Sequence, residues 1–190
     1  MLLSRSLNST GKTETRLNFS WIQPVNISSG EERAVSVSEF ADGVISGNLP
    51  NTSVALPSNW ALQNPYDWLN GLREVINQTL LAGKIKPEEV IGLGICFTSC
   101  TVLPTTEDGT PLCFLPEWRD EPHAWPKLWK HHAAQPQADL INDLAKIENE
   151  PWLKRYGGSI SSEWLFPKAL QFYQESPKCC KINLTLLINR

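Results

Sequence analysis

Residues 64–97 read NPYDWLNGLREVINQTLLAGKIKPEEVIGLGICF, and the two halves follow different periods. In the first half Trp68, Leu69, Leu72, Val75, Ile76 and Leu80 recur at the spacing of a helix face. Asn64 offers a side-chain acceptor to orphan amides, and Pro65 suits the first helical position because it has no N–H to leave unpaired. Gly83 suits the stop. The second half follows Pro87 and is a short apolar run, EEVIGLGICF. Such a run between breakers predicts a buried strand of the kind found in parallel or mixed sheets. Helix followed by buried strand is the unit of an α/β fold.

The flanking segments extend that pattern. Residues 33–46, RAVSVSEFADGVIS, begin with Ala34, Val35 and Val37 and predict a strand with a turn at Asp42-Gly43. A loop rich in proline and asparagine follows over 48–58. Residues 100–116, CTVLPTTEDGTPLCFLP, read as two strands joined by a turn at Asp108-Gly109. A helix is expected over 136–147, opened by Pro136, with Leu140, Ile141, Leu144 and Ile147 as its apolar stripe. RYGGSISSEW, at 155–164, is a glycine turn and a serine pair placed to cap a helix starting near Glu163, or near Phe166 because of Pro167. Residues 1–29 and the tail KCCKINLTLLINR carry no pattern that places them.

Composition narrows the class. A chain of 190 residues with 41% hydrophobic and 19% charged residues reads as one soluble globular domain. A net charge of −3 gives no global attraction to nucleic acid or an anionic membrane. No apolar run is long enough to span a bilayer, and MLLSRSLNSTGK lacks the apolar centre of a signal peptide. The cysteines are odd in number and include no CxxC pair, so the expectation is reduced thiols and a cytoplasmic location. N-x-S/T sequons at Asn8, Asn18, Asn26, Asn51, Asn77 and Asn183 would matter only on a secreted chain.

Chemistry concentrates around KLWKHHAA at 127–134, which follows EWRDEPHAWP. His131 and His132 are neighbours and do not share a face as an i, i+4 metal pair would. Lys127, Lys130, His131 and His132 beside Trp125 and Trp129 have the residue types of a nucleic-acid patch, but acidic residues surround them. A tryptophan face also suits the C–H surface of a sugar. Residue types alone leave metal, nucleic acid, sugar and plain core open. STGKT at 9–13 lacks the first glycine of a P-loop, since Ser6 holds that place.

Longer segments carry a resemblance. FTSCTVLPTTEDGTPLC, DEPHAWPKLWKHHAAQPQAD and RYGGSISSEWLFPKALQ together resemble the FGGY carbohydrate kinases, in their ribulokinase branch. GVISGNLP, LPSNWALQNPYDWLNGLREV and the 90–99 run are similar to the same family in the same order. The resemblance covers roughly 30–178, leaving 1–29 and 179–190 as divergent flanks.

That resemblance implies an α/β chain forming part of a ribonuclease-H-like (actin-type ATPase) domain, with a mixed sheet and flanking helices. It implies a kinase that moves the γ-phosphoryl of ATP, with Mg²⁺, onto L-ribulose or a related ketopentose. Ser99, after FT, and Trp129, in KLWK, fall at the sugar-pocket positions. Asp120 falls where related kinases place a sugar-facing acid, and Ser161, Ser162 and Glu163 belong to a motif near the cleft. The sequence departs from the family pattern in four places. No Asp-Phe-Gly-Thr strand stands in 1–29, the catalytic base and ATP-binding half are not found, Cys96 stands in place of aspartate, and Ser159 in place of lysine. The expectation is a truncated or frame-shifted, inactive fragment that self-associates through an open sheet edge. A non-catalytic sugar-binding or interaction module is the alternative.

Overall fold

The structure is a computed structural model that describes residues 5–7, 13–15, 19–96, 99–180 and 185–188, with side chains over 19–96 and 99–179. Its strands are β1 (Arg5–Leu7), β2 (Thr13–Thr15), β3 (Phe19–Ile22), β4 (Ser36–Glu39), β5 (Val102–Thr105) and β6 (Thr185–Ile188). Its helices are α1 (Pro65–Gly83), α2 (Gln135–Ile147), α3 (Leu165–Glu175) and α4 (Pro177–Cys180). The strands pair antiparallel as β1-β2, β3-β4 and β5-β6, so the chain is mixed α/β with small sheets. Two compact units are formed, one from 1–43 with 65–94, the other from 44–64 with 95–190.

In the first unit α1 packs on the β3-β4 hairpin. The helix keeps both of its expected ends. Its buried line, however, is Asp67, Gly71, Val75, Thr79 and Gly83, whereas Leu69 is exposed and Trp68, Leu72, Ile76 and Leu80 are half-buried. Close approach explains the shift. A Cβ on Gly71 would lie 2.7 Å from Ser20 Oγ and 3.1 Å from Phe40, so glycine lets the helix settle on the hairpin. β4 likewise turns Ser36 and Ser38 inward and leaves Val37 outside, and Val35 just before it is exposed too. Ser38 gains a bond to Glu74 in exchange. The expected turn at Asp42-Gly43 is held by Asp67, whose Oδ2 accepts from both backbone amides at 3.1 and 3.2 Å.

The run at 90–96 departs from expectation. It forms no strand, and Val90, Ile91, Leu93 and Ile95 are exposed. A buried strand needs neighbours for its N–H and C=O groups, and among the described residues no segment pairs with it. Phe97 lies outside the described residues.

The second unit is laced by short backbone pairings. Ile45 pairs with Leu62, Leu62 with Lys127, Lys127 with Val102, and β5 with β6. β6 lies in the tail for which the sequence offered no partner, in register Val102↔Ile188 to Thr105↔Thr185. The turn at Asp108-Gly109 forms, but only one of the two expected strands flanks it. After a single Thr105↔Pro111 bridge the chain enters a 3₁₀ turn at Leu112–Phe114. Pro111 has no N–H with which to continue a ladder.

The core of this unit gathers Ile45, Leu49, Trp60, Leu62, Leu112, Cys113, Ala124, Trp125, Phe172 and Cys179. Around it α2 spans the expected helix but inverts its stripe. Leu140, Leu144 and Ile147 are exposed and Ile141 is half-buried, while Gln137, Ala138, Asn142 and Ala145 are buried. Small alanines let α2 approach α3, and Asn142 holds Ile160 at both backbone atoms, 2.7 Å to its amide and 3.0 Å to its carbonyl. Of the two expected starts for α3, Glu163 and Phe166, the later is within one residue. The serine pair does not cap the helix: Ser161 Oγ instead accepts from Glu163 N at 3.2 Å.

Candidate functional site

Helix α3 organises the segments that carry most of the sequence-nominated residues. Lys168, Gln171, Phe172 and Glu175 recur at helical spacing on it, and the first three are almost fully buried. Lys168 Nζ donates to Cys100 O at 2.7 Å and to Leu128 O at 2.8 Å. One turn later, Gln171 Oε1 lies 2.9 Å from His131 Nε2, and Gln171 Nε2 donates to Ala133 O at 3.3 Å. Residues 128–131 form a turn closed by His131 N donating to Leu128 O at 2.9 Å. Both ends of that turn are thus tied to α3, and Trp129 stands within it, half-buried.

Ser99 lies on the other segment held by Lys168. It is exposed and next to Cys100, whose φ of +69° is left-handed. A cysteine there costs about 1–2 kcal/mol and persists when its surroundings hold it. The Lys168 bond to its carbonyl is such a restraint. Two residues on, Val102 and Lys127 exchange backbone bonds of 3.1 and 2.9 Å, so the 99–102 and 127–129 segments run side by side. Ser99 and Trp129 are therefore carried by adjoining segments.

Ser161, Ser162 and Glu163 lie in the loop before α3, and of these Glu163 meets the residue that follows the turn. Glu163 Oε1 is 3.7 Å from His132 Nε2, Ser162 is buried, and Ser161 shapes the loop. Asp120 is separate. It is exposed between the 3₁₀ turns at Pro116–Trp118 and Pro122–Ala124, where Trp125 Nε1 anchors the preceding carbonyl of Arg119 at 2.9 Å. Among the described residues no hydrogen bond or ion pair joins Asp120 to the other five.

Sequence reasoning missed the residues that hold this arrangement together. Lys127 and His131 stood out only as members of a possible nucleic-acid or metal cluster, yet both are buried, as are Trp125 and His123. Lys127 Nζ lies 5.6 Å from the Trp60 ring and 5.5 Å from the Phe172 ring. Burial is the main cause that brings its pKa down to about 7, with nearby Glu175 and Glu121 opposing. Burial also lowers Lys168 to about 8, against the pull of Cys100 and Glu163. His131 is pushed down to about 3 by burial and then by Lys127, so it is neutral. Its Nδ1 accepts from Ala61 N at 3.3 Å, which leaves the proton on Nε2 for Gln171. Burial, Lys127 and His131 likewise lower His123 to about 3. Its 3.3 Å contact with Glu175 is therefore a neutral Nε2–H facing a carboxylate, and Nδ1 is left without a partner.

Among the described residues no group of three or more His, Cys, Asp or Glu is arranged to hold a cation. Lys127 and Lys168 are turned into the protein rather than toward a phosphate. Residues 9–12 of the P-loop-like stretch lie outside the described residues, and Thr13 opens β2. Among the described residues no helix is long and apolar enough to cross a membrane.

Comparison with known proteins bears on what this arrangement is. No protein-family profile matches the chain. The chain is 51% identical over 153 residues to a ribulokinase of Bacillus licheniformis, covering 80% of this chain and 28% of that protein. It is 48% identical over 155 residues to a ribulokinase of Mycolicibacterium smegmatis, covering 81% and 28%. In structure it is similar to a xyloylose kinase from Brucella ovis, with a TM-score of 0.64 at 12% identity over 89% of this chain and 30% of the other. That likeness shows a shared fold. The chain spans little more than a quarter of the curated relatives it matches, about 28%. Over about four fifths of its length the chain is thus similar in sequence to part of the ribulokinases.

Proposed function

We propose that this chain supplies sugar-facing residues of a ribulokinase-type kinase, whose reaction moves the γ-phosphoryl of ATP, with Mg²⁺, onto L-ribulose or a related ketopentose. The observation that carries this reading is the 51% identity to a ribulokinase over 153 residues. In keeping with it, α3 draws the Ser99 and Trp129 segments onto one ammonium group. Trp129 offers a ring face to sugar C–H bonds, and Ser99 offers a hydroxyl. Ser161, Ser162 and Glu163 frame the turn, and Asp120 contributes an acid from its loop. Residues 30–178 belong to the ribonuclease-H-like part of such a kinase.

Phosphoryl transfer depends on positioning and on neutralising phosphate charge. In this reading the chain's part is the sugar side of the site, and no chemical step is assigned to its residues. Assayed alone, this polypeptide is expected to show no ATP-dependent phosphorylation of L-ribulose in a coupled ADP-release assay. Turnover by the purified chain would refute that. The partial span of the relatives favours a second reading, a non-catalytic sugar-binding module. Calorimetry separates the two: a module binds L-ribulose without ATP, and an inactive piece of a kinase releases no heat of binding.

A further inference from the structure

Lys168 lies wholly inside the protein, where a cation loses its hydration. It spends its ammonium group on two main-chain carbonyls, Cys100 O at 2.7 Å and Leu128 O at 2.8 Å. Each carbonyl belongs to a residue next to a sugar-facing candidate, Cys100 beside Ser99 and Leu128 beside Trp129. Leu128 O already accepts from His131 N, so this turn would close without the lysine. Val102 and Lys127 already pair the two segments further along. What Lys168 adds is control of the ends beyond that pairing, where Cys100 adopts a left-handed backbone.

We propose that Lys168 is a positioning residue for the sugar site: by bonding Cys100 O and Leu128 O together it sets where Ser99 and Trp129 stand relative to each other. This rests on the assignment of Ser99 and Trp129 to the sugar. A planar fork in place of the ammonium cannot reproduce the two bonds from one point. Lysine is thus specified here by geometry as well as by charge.

The test uses the 190-residue chain labelled with 5-fluorotryptophan, with Trp125→Phe, Trp129→Phe and Trp152→Phe each identifying one fluorine resonance; Trp152 lies in the 3₁₀ turn at Pro151–Tyr156. Lys168→Met should displace the Trp129 resonance while those of Trp125 and Trp152 stay in place. A folded Lys168→Met chain with an unmoved Trp129 resonance overturns the proposal. So does equal displacement of Trp125, Trp129 and Trp152, the signature of a general packing defect. If Lys168→Met does not fold, Lys168→Arg decides by the same comparison. If neither variant folds, Lys168 is a folding residue and the proposal falls. L-ribulose added to the unsubstituted chain tests the sugar-binding module separately. Should no tryptophan resonance respond to the sugar, the module falls, while the sugar-free comparison still decides whether Lys168 positions Trp129.

Discussion

Lowering the pH from about 7.5 to about 5 should strip this chain of much of its stability, through two histidines. His123 and His131 are buried and held neutral, each with its pKa brought from 6.5 to about 3. Once unfolded, each imidazole takes up a proton near its ordinary value; in the folded chain it does not until the pH nears 3. Their contribution is therefore complete above the unfolded value and is lost as the pH falls below it. Over this interval the linkage relation gives about 2 kcal/mol for each histidine, roughly 4 kcal/mol together. Lys127 adds in the same direction, since its folded value of about 7 lies below the 10.5 of an exposed amine. A domain of ordinary stability, roughly 5–15 kcal/mol, loses a large share of its margin on that scale. Urea unfolding followed by far-ultraviolet circular dichroism at the two pH values measures the loss, and His131→Phe should remove about half of it. Unfolding free energies that agree within about 1 kcal/mol would refute the assignment of both histidines as buried and neutral.

Three further outcomes follow from packing and exposure. Asn142→Ala leaves the Ile160 amide and carbonyl without their 2.7 and 3.0 Å partner, which should cost about 2–3 kcal/mol in urea unfolding. In thiol labelling of the native chain, exposed Cys96 should react fast, whereas Cys113, buried and pushed up to about 12, should react only as the chain unfolds. Ile91→Lys combined with Leu93→Lys replaces two exposed apolar side chains, so stability should change by no more than about 0.5 kcal/mol.

Local signals in the sequence determined where several elements begin and end. Asn64-Pro65 and Gly83 bracket α1, Pro136 lies at the start of α2, and Asp108-Gly109 makes its turn, because cap and turn residues act through their own backbone neighbours. Longer segments were enough to place the chain near the carbohydrate kinases and to nominate Ser99 and Trp129. Which face of an element is inside was a tertiary decision. Gly71 lets α1 sit on a hairpin, so Val75 and Thr79 go inward and Leu69 outward; Asn142 and two alanines outcompete Leu140, Leu144 and Ile147 on α2. The run at 90–96 has strand composition, but a strand exists only where another chain segment meets its hydrogen bonds. The lysine behind the candidate site was illegible for a related reason. A charged residue in a helix reads as solvent-facing until the fold brings the carbonyls of Cys100 and Leu128 to it, 68 and 40 residues away along the chain.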